Sequence, residues 1–521
     1  MLTGLFDRGS EYDFQPYRRG WATDADLEQA GLLYPATGTG VPVGTHLYLG
    51  QRLAQVQDDR GRFSTQLHHV LGRLGWPTIG LGPTGSGKTH GLVLPNLVSW
   101  GRGACVVVSS KNDILRPWQV RAAYGPVYLY DPSGSQGLPH LTIGWDPLWR
   151  CDDWDHAYRM AERFTAPQMK DESARNAQHF ATKAAAFLAP LLYGAALSHQ
   201  SRTPYWYTME DVSVWVAAGS LAEAHQEIDL AAAAGDADAA YVRRQIEGML
   251  RLQAEAGEYW QGIVGAASAA LTWVHRHAAR VSTNPRLTPR QLDIDALLDG
   301  ATLFVTSPAH LLEDLAPLHS ALIDAVLQRA LERATLAGGR LPVPLLLAID
   351  EAAAAPVDKM PRIFAEGAQQ GIVSLLIVQD LSQLYARIGQ AQAHSIWNNA
   401  RIRMVLPGLS DPASLDLLTR QAAEYEEEVR TDATLTGETS GLPFSRQLPP
   451  SRNNQTSTSW STRYRAAVRP EHVLYLPERR AILLAPHVPP AEISLRFLEE
   501  CRPDRPLEAL LPTVSGQAGP H

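Results

Sequence analysis

Residues Gly82-Pro83-Thr84-Gly85-Ser86-Gly87-Lys88-Thr89 fit the pattern G-x-x-x-x-G-K-[ST]. An apolar run precedes them at residues 78–82, and a helical pattern follows. Glycines let the backbone curl until successive N–H groups point at one anion. The following helix adds its positive N-terminal end. Lys88 is then placed to reach the β- and γ-phosphates of a nucleotide, and the Thr89 hydroxyl to ligate Mg2+. Gly82, Thr84, Gly85, Ser86, Gly87, Lys88 and Thr89 are therefore the expected nucleotide-binding residues, with ATP and Mg2+ as cofactors. The bland reading is a chance glycine-rich turn, and the strand–turn–helix context argues against it.

A second constellation is Leu345-Leu346-Leu347-Ala348-Ile349-Asp350-Glu351. An apolar strand ending in two acids puts both carboxylates at the carboxyl edge of a sheet, where ligands of α/β proteins bind. Asp350 is the expected Mg2+ partner and Glu351 the general base for the attacking water. Alone this signal is weak, because acids often follow strands; beside the phosphate loop it gains force. Gln379 ends another apolar run and suits a sensor between γ-phosphate and water, or simply a strand end before a helix cap at Asp380. An arginine from a neighbouring subunit completes many such sites. Arg362, Arg387, Arg401 and Arg403 are candidates among which the sequence does not choose. His90 reads as helix surface or packing, Cys105 as core, and Trp145, Trp149 and Trp154 as hinge packing rather than base stacking.

The elements that must carry these groups alternate. Continuous apolar runs at residues 104–110, 127–130, 301–306, 345–349, 372–379, 403–406 and 481–485 suit central strands covered on both faces. Helical stretches such as 318–336 and 411–421 lie between them. The fold class is α/β with a mainly parallel sheet. Residues 148–292 break the alternation with long Ala-rich stretches at helical spacing, and read as an all-α insertion. The expected division is an N-terminal extension at 1–73, a nucleotide-binding domain at 74–147 and 293–521, and the insertion between. Residues 434–461, rich in Ser, Thr, Asn, Pro and Gly, read as a mobile loop.

Composition narrows the rest. A chain of 521 residues is long for one ordinary domain. Its formal net charge of −8 argues against a general nucleic-acid coat protein, yet leaves room for nucleic acid held inside a ring. Only five of the 46 basic residues are lysines, so Lys88 stands out. Cys105, Cys151 and Cys501 are scattered and suggest neither a disulfide framework nor a zinc site. Residues 1–14 carry acids and no apolar run, unlike a signal peptide. Residues 184–197 are apolar but short and interrupted by Pro190, so a buried helix is expected rather than a membrane span.

These residues resemble the type IV secretion coupling proteins, the TraG/TraD-like conjugation ATPases, over most of the chain. Gly20-Trp21-Ala22-Thr23 with Asp26-Leu27 resembles the family's "RWAT…DL". Gly85 to Thr89 with Leu94-Pro95-Asn96-Leu97 resembles "TGSGKT…V.PNL", and Asp146-Pro147-Leu148 resembles "NPL". Asp350-Glu351, Ala365-Glu366-Gly367 and Gln379-Asp380-Leu381-Ser382-Gln383-Leu384 resemble the Walker B segment and "Q-D-L-x-Q-L". Asn398-Asn399 and Leu476-Pro477 also fit. The resemblance implies a RecA-like P-loop NTPase with an inserted all-α domain, active as a homo-hexamer with DNA in the ring pore. It implies delivery of DNA or a DNA–protein conjugate, such as a relaxase, to a type IV secretion channel. Family members commonly begin with a transmembrane anchor; none is read here, so a cytoplasmic protein recruited to the inner face of the membrane by a partner is expected. The family's "DPKGE" is replaced by Ser109-Ser110-Lys111-Asn112-Asp113. Two other readings stay open: an ATP-gated receptor for secreted proteins without pumping, and another soluble RecA-like translocase.

Overall fold

The computed structural model describes residues 20–35, 46–57, 63–73, 75–166, 175–201, 206–350, 359–422, 424–437 and 453–495. Fourteen strands occur in chain order: β1 Leu33–Pro35, β2 His46–Gln57, β3 Phe63–Arg73, β4 Thr78–Leu81, β5 Ala104–Ser109, β6 Val127–Tyr130, β7 Thr302–Thr306, β8 Leu345–Ile349, β9 Ile372–Val378, β10 Ile402–Val405, β11 Glu424–Gly437, β12 Asn453–Ala466, β13 Arg480–Ala485 and β14 Val488–Ser494. Twelve form one sheet in the order β1-β3-β2-β14-β13-β10-β4-β9-β8-β5-β7-β6. From β10 to β6 every neighbouring pair is parallel. β4, β5, β7, β8 and β9 are buried at every position, as their unbroken apolar runs require of strands covered on both faces.

The N-terminal residues do more than pack on this sheet. β1, β2 and β3 form an antiparallel edge in the order β1-β3-β2 that joins the sheet at β14, with Ser494 of β14 facing Gln51 of β2. Their alternation is partial, with Leu47, Leu49 and Val70 buried among polar neighbours, so the sequence reads as mixed. β14 is equally hard to read from sequence, because Pro489 and Pro490 argue against a strand. It lies in the antiparallel part, and Pro490 offers its carbonyl to Ala22 N–H at 2.9 Å.

The expected loop at 434–461 needs correction. Residues 434–437 and 453–461 belong to β11 and β12, which pair antiparallel from Glu424↔Ala466 to Gly437↔Asn453. Residues 438–452 lie outside the described residues. The arms are rich in Thr and Ser. β-Branched Thr favours extended backbone, and the same residues look like loop when only polarity is weighed.

Between β6 and β7 the described residues form helices and turns and no named strand. The 27-residue helix Arg175–Ser201 is the centre of this layer and runs through Pro190. It packs against Trp154–Thr165, Ala222–Ala233 and Gly257–Ala270. Phe187 meets Trp260 edge to face at 4.9 Å. Gln178–Ser201 is long and apolar enough to cross a membrane, but 78% of its most apolar window is buried inside the protein, as in a core helix. The helical layer leaves and rejoins the sheet side by side: Gly144 N–H donates to Arg290 O and Leu292 N–H to Gly144 O, both at 2.8 Å. At this hinge burial pushes the Asp146 carboxyl up to about 7, while it accepts from Leu148 N–H at 2.9 Å.

The helix after the phosphate loop is tied to the antiparallel edge strands by the Asn96 side chain. Asn96 is 2% exposed. Its amide accepts from Tyr48 N–H at 2.7 Å and donates to Tyr48 O at 2.8 Å and Leu92 O at 2.7 Å. This is a physical reason for Asn in the Pro95-Asn96-Leu97 segment. Pro95 beside it is tolerated because Thr89–Val93 is a widened turn, in which Leu94 N–H reaches Thr89 O. Asn96→Ala should lose all three bonds and about 2–4 kcal/mol. The check is the urea midpoint of the first unfolding transition; an unchanged midpoint would show that the clamp adds nothing.

Candidate nucleotide-binding site

β4 ends at Leu81, the loop follows, and Thr89 opens the next helical turn. Gly87 sits at φ +89°, a conformation that a side chain would strain. A Cβ on Gly82 would lie 2.6 Å from Ser86 Oγ and 2.8 Å from Leu406 Cβ. Thr84 and Gly85 are exposed at the loop tip, and Ser86 and Gly87 are half-buried. Lys88 is buried, and its ammonium donates to Gly82 O and, at 2.7 Å, to Pro83 O. The buried Ser86 Oγ has no protein partner among the described residues.

β8 delivers Asp350 beside this loop. Thr89 Oγ1 donates to Asp350, lying 2.9 Å from each carboxylate oxygen. Ser109 Oγ, at the end of β5, lies 2.9 Å from Asp350 Oδ2. Lys111 Nζ is 3.3 Å from Thr89 Oγ1 and 4.0 Å from Asp350 Oδ2. Burial raises the Asp350 carboxyl above its ordinary range; the Lys111 charge and the Thr89 and Ser109 hydroxyls oppose that rise. One hydroxyl and one carboxylate form an oxygen donor pair that suits Mg2+, which takes few protein ligands and keeps water and phosphate for the rest. Among the described residues no cluster of three His, Cys, Asp or Glu could hold a metal by itself.

The remaining expected groups fall variously. Glu351 lies outside the described residues. Gln379 directly follows β9, whose Val378 pairs with Leu81 of β4, so it stands next to Gly82. Its Oε1 accepts from Gln383 Nε2 at 3.1 Å, while Asp380 caps the next helix through Gln383 N–H at 2.7 Å. Arg403 is engaged within its own subunit, donating to Trp397 O at 2.9 Å and lying over the Trp397 ring. Arg362 is exposed and pairs with Glu366 at 3.1 Å; Arg401 is exposed. His90 pairs with Asp113 at 2.8 Å, a contact the sequence does not suggest. Cys105 is core, its thiol pushed up to about 11 by burial. Trp145 is buried, and Trp154 packs edge-on against Tyr193 at 5.8 Å, so hinge packing occupies both. Ser109 as a partner of the acid, and Lys111 as its neighbour, are not evident from sequence. Their one local signal is that polar residues end a neighbouring apolar strand.

The family model for type IV secretory system conjugative DNA transfer matches residues 20–495. The conjugal transfer protein TraG of Escherichia coli is 30% identical over 162 residues, 28% of this chain and 22% of TraG. A second E. coli TraG is 32% identical over 142 residues, 25% of this chain and 20% of its own length. These alignments thus span about a fifth of the curated relatives. Among solved structures, the plasmid coupling protein TrwB in complex with the ATP analogue ADPNP superposes with a TM-score of 0.58 at 17% identity, covering 94% of this chain and 98% of that one. TrwB in complex with ADP and Mg2+ gives 0.54 at 18% identity, covering 81% and 85%. The fold is therefore that of TrwB, a RecA-like P-loop architecture. With the family model spanning residues 20–495, the chain belongs to the type IV secretory system conjugative DNA transfer family.

Proposed function

We propose that this chain is an ATP-hydrolysing coupling protein that drives DNA, or a DNA–protein conjugate such as a relaxase complex, toward a type IV secretion channel. The observation that carries the reading is the convergence of Lys88, Thr89 and Asp350 at the carboxyl edge of the parallel sheet, with Thr89 Oγ1 2.9 Å from Asp350. Mg2+ held by Thr89 and Asp350 would neutralise charge on the β- and γ-phosphates. Lys88, turned away from the carbonyls of Gly82 and Pro83, binds those phosphates from the other side. Glu351 takes the proton of the attacking water. Gln379, next to Gly82, orients that water. An arginine of an adjacent subunit in a homo-hexamer faces the transferring group, with Arg362, Arg387, Arg401 and Arg403 as the candidates. DNA occupies the ring pore, the helical layer of residues 148–292 receives cargo, and a channel or membrane-anchor partner holds the ring at the inner face of the membrane.

Steady-state hydrolysis across protein concentration, with and without DNA, tests this. The specific rate should climb steeply with protein concentration and with DNA, because each site needs its neighbour's arginine. A rate that is flat in concentration and indifferent to DNA overturns the pump in favour of a nucleotide-gated receptor.

A further inference from the structure

Lys111 has no place in the phosphate loop, yet its ammonium stands at the two side chains that would hold the metal. Nζ is 3.3 Å from Thr89 Oγ1 and 4.0 Å from Asp350 Oδ2. Its backbone is fixed there. Lys111 N–H donates to Ser109 Oγ at 3.1 Å, and the same Ser109 hydroxyl lies 2.9 Å from Asp350 Oδ2. Two residues on, Asp113 is tied to His90 at 2.8 Å, next to Thr89 on the helical turn that follows the phosphate loop. The segment from Ser109 to Asp113 is thus held at one end to Asp350 and at the other to His90, the chain neighbour of Thr89. The Lys111 side chain, by contrast, is 42% exposed, while that of Asp350 is fully covered. A solvated stem on a fixed backbone can move its charge without disturbing the fold.

The local charge balance gives this placement a consequence. Asp350 is a buried carboxylate held by the Thr89 and Ser109 hydroxyls. Lys88 is committed to the carbonyls of its own loop. Lys111 is the cation that the Asp350 carboxyl meets. A divalent ion approaching Thr89 and Asp350 meets a like charge at contact range, where the repulsion is strong because the carboxylate is shielded from water. Nucleotide phosphates change the balance, since they offer the ammonium another anion.

We propose that Lys111 is a built-in counter-cation of Asp350 that keeps divalent metal out of the nucleotide-free site and yields its place when phosphates arrive. The proposal rests on reading Thr89 and Asp350 as the Mg2+ ligands. It makes Lys111 a positioning residue: it sets the order of loading, so that metal enters with ATP. The bland alternative is a solvated lysine whose nearness to Asp350 does nothing.

The test is direct binding of Mn2+, a spectroscopic stand-in for Mg2+, to the full nucleotide-free chain above neutral pH, followed by electron paramagnetic resonance. K111M should bind Mn2+ about tenfold or more tightly than the parent chain, a difference of about 1.4 kcal/mol. K111Q should behave like K111M, and K111R like the parent, because the charge and not the stem is responsible. D350N added to K111M should abolish the gain. With a non-hydrolysable ATP analogue present, parent and K111M should bind Mn2+ within a few-fold of each other. Equal Mn2+ affinity in parent and K111M overturns the proposal. So does undetectable binding by K111M and K111Q at millimolar Mn2+, or a gain that survives D350N. Melting curves of each variant show that the fold is retained. Absent turnover with an intact Mn2+ difference counts against the motor reading and leaves this one standing; equal Mn2+ affinities with normal DNA-stimulated turnover do the reverse.

Discussion

Glu351→Gln should bind ATP as tightly as the parent chain and turn it over about a thousandfold more slowly. The substitution keeps size, shape and hydrogen-bonding reach. It removes only the capacity to accept a proton. Glu351 follows Asp350 at the end of β8, where Asp350 N–H is fixed by Val108 O at 2.9 Å. A loss confined to the chemical step appears as a fall in kcat with little change in KM. Steady-state kinetics together with fluorescent-nucleotide binding measure both. Turnover comparable to the parent would show that another group activates the water. In mixed rings, a few Glu351→Gln subunits should depress the whole assembly more than their fraction, if neighbouring sites depend on one another.

Lys88→Ala is the second large effect, and it falls on affinity. A buried charge-assisted contact to phosphate is worth about 3 kcal/mol, so nucleotide should bind about a hundredfold more weakly. Lys88 is 6% exposed and donates to the Gly82 and Pro83 carbonyls. Either an alanine or a methionine therefore also removes a tie within the loop. Lys88→Met separates the ammonium from the stem: it keeps most of the buried apolar stem and loses the charge with its hydrogen bonds. If the phosphates are what Lys88 serves, both variants lose affinity alike, while the alanine, which also removes the buried stem, lowers the melting temperature more than the methionine. Calorimetric titration with a non-hydrolysable ATP analogue gives the dissociation constants. Near-parental affinity in Lys88→Met would mean that the loop backbone alone holds the phosphates.

The central strands are legible in the order of the amino acids. The runs at residues 104–110, 345–349 and 372–379 form β5, β8 and β9 because strands buried on both faces must be apolar throughout. The division between sheet and helix is legible for the same reason, since a change of hydrophobic period is a local property. The antiparallel edge strands β1 to β3 are not. Their apolar pattern is diluted by polar residues such as Gln51, Arg52, Gln55 and Gln57. The arms β11 and β12 read as loop because Thr and Ser are polar by composition and extended by conformation. Pro190 marks an interruption that the helix Arg175–Ser201 does not show, since packing on three neighbouring helices outweighs one lost backbone bond.

Contiguous residues are enough to specify the phosphate loop, because that device is made by a short run of backbone and one adjoining helix turn. They are also enough to place an acid at the end of a central strand. Which acid meets which hydroxyl is settled only by the folded sheet: Thr89 and Asp350 are 261 positions apart and 2.9 Å from one another. The same holds for Asn96 clamping Tyr48 and for Lys111 standing over Asp350. Such contacts depend on the order in which parallel strands are laid side by side. That order is an outcome of packing the whole sheet, and no local spacing encodes it.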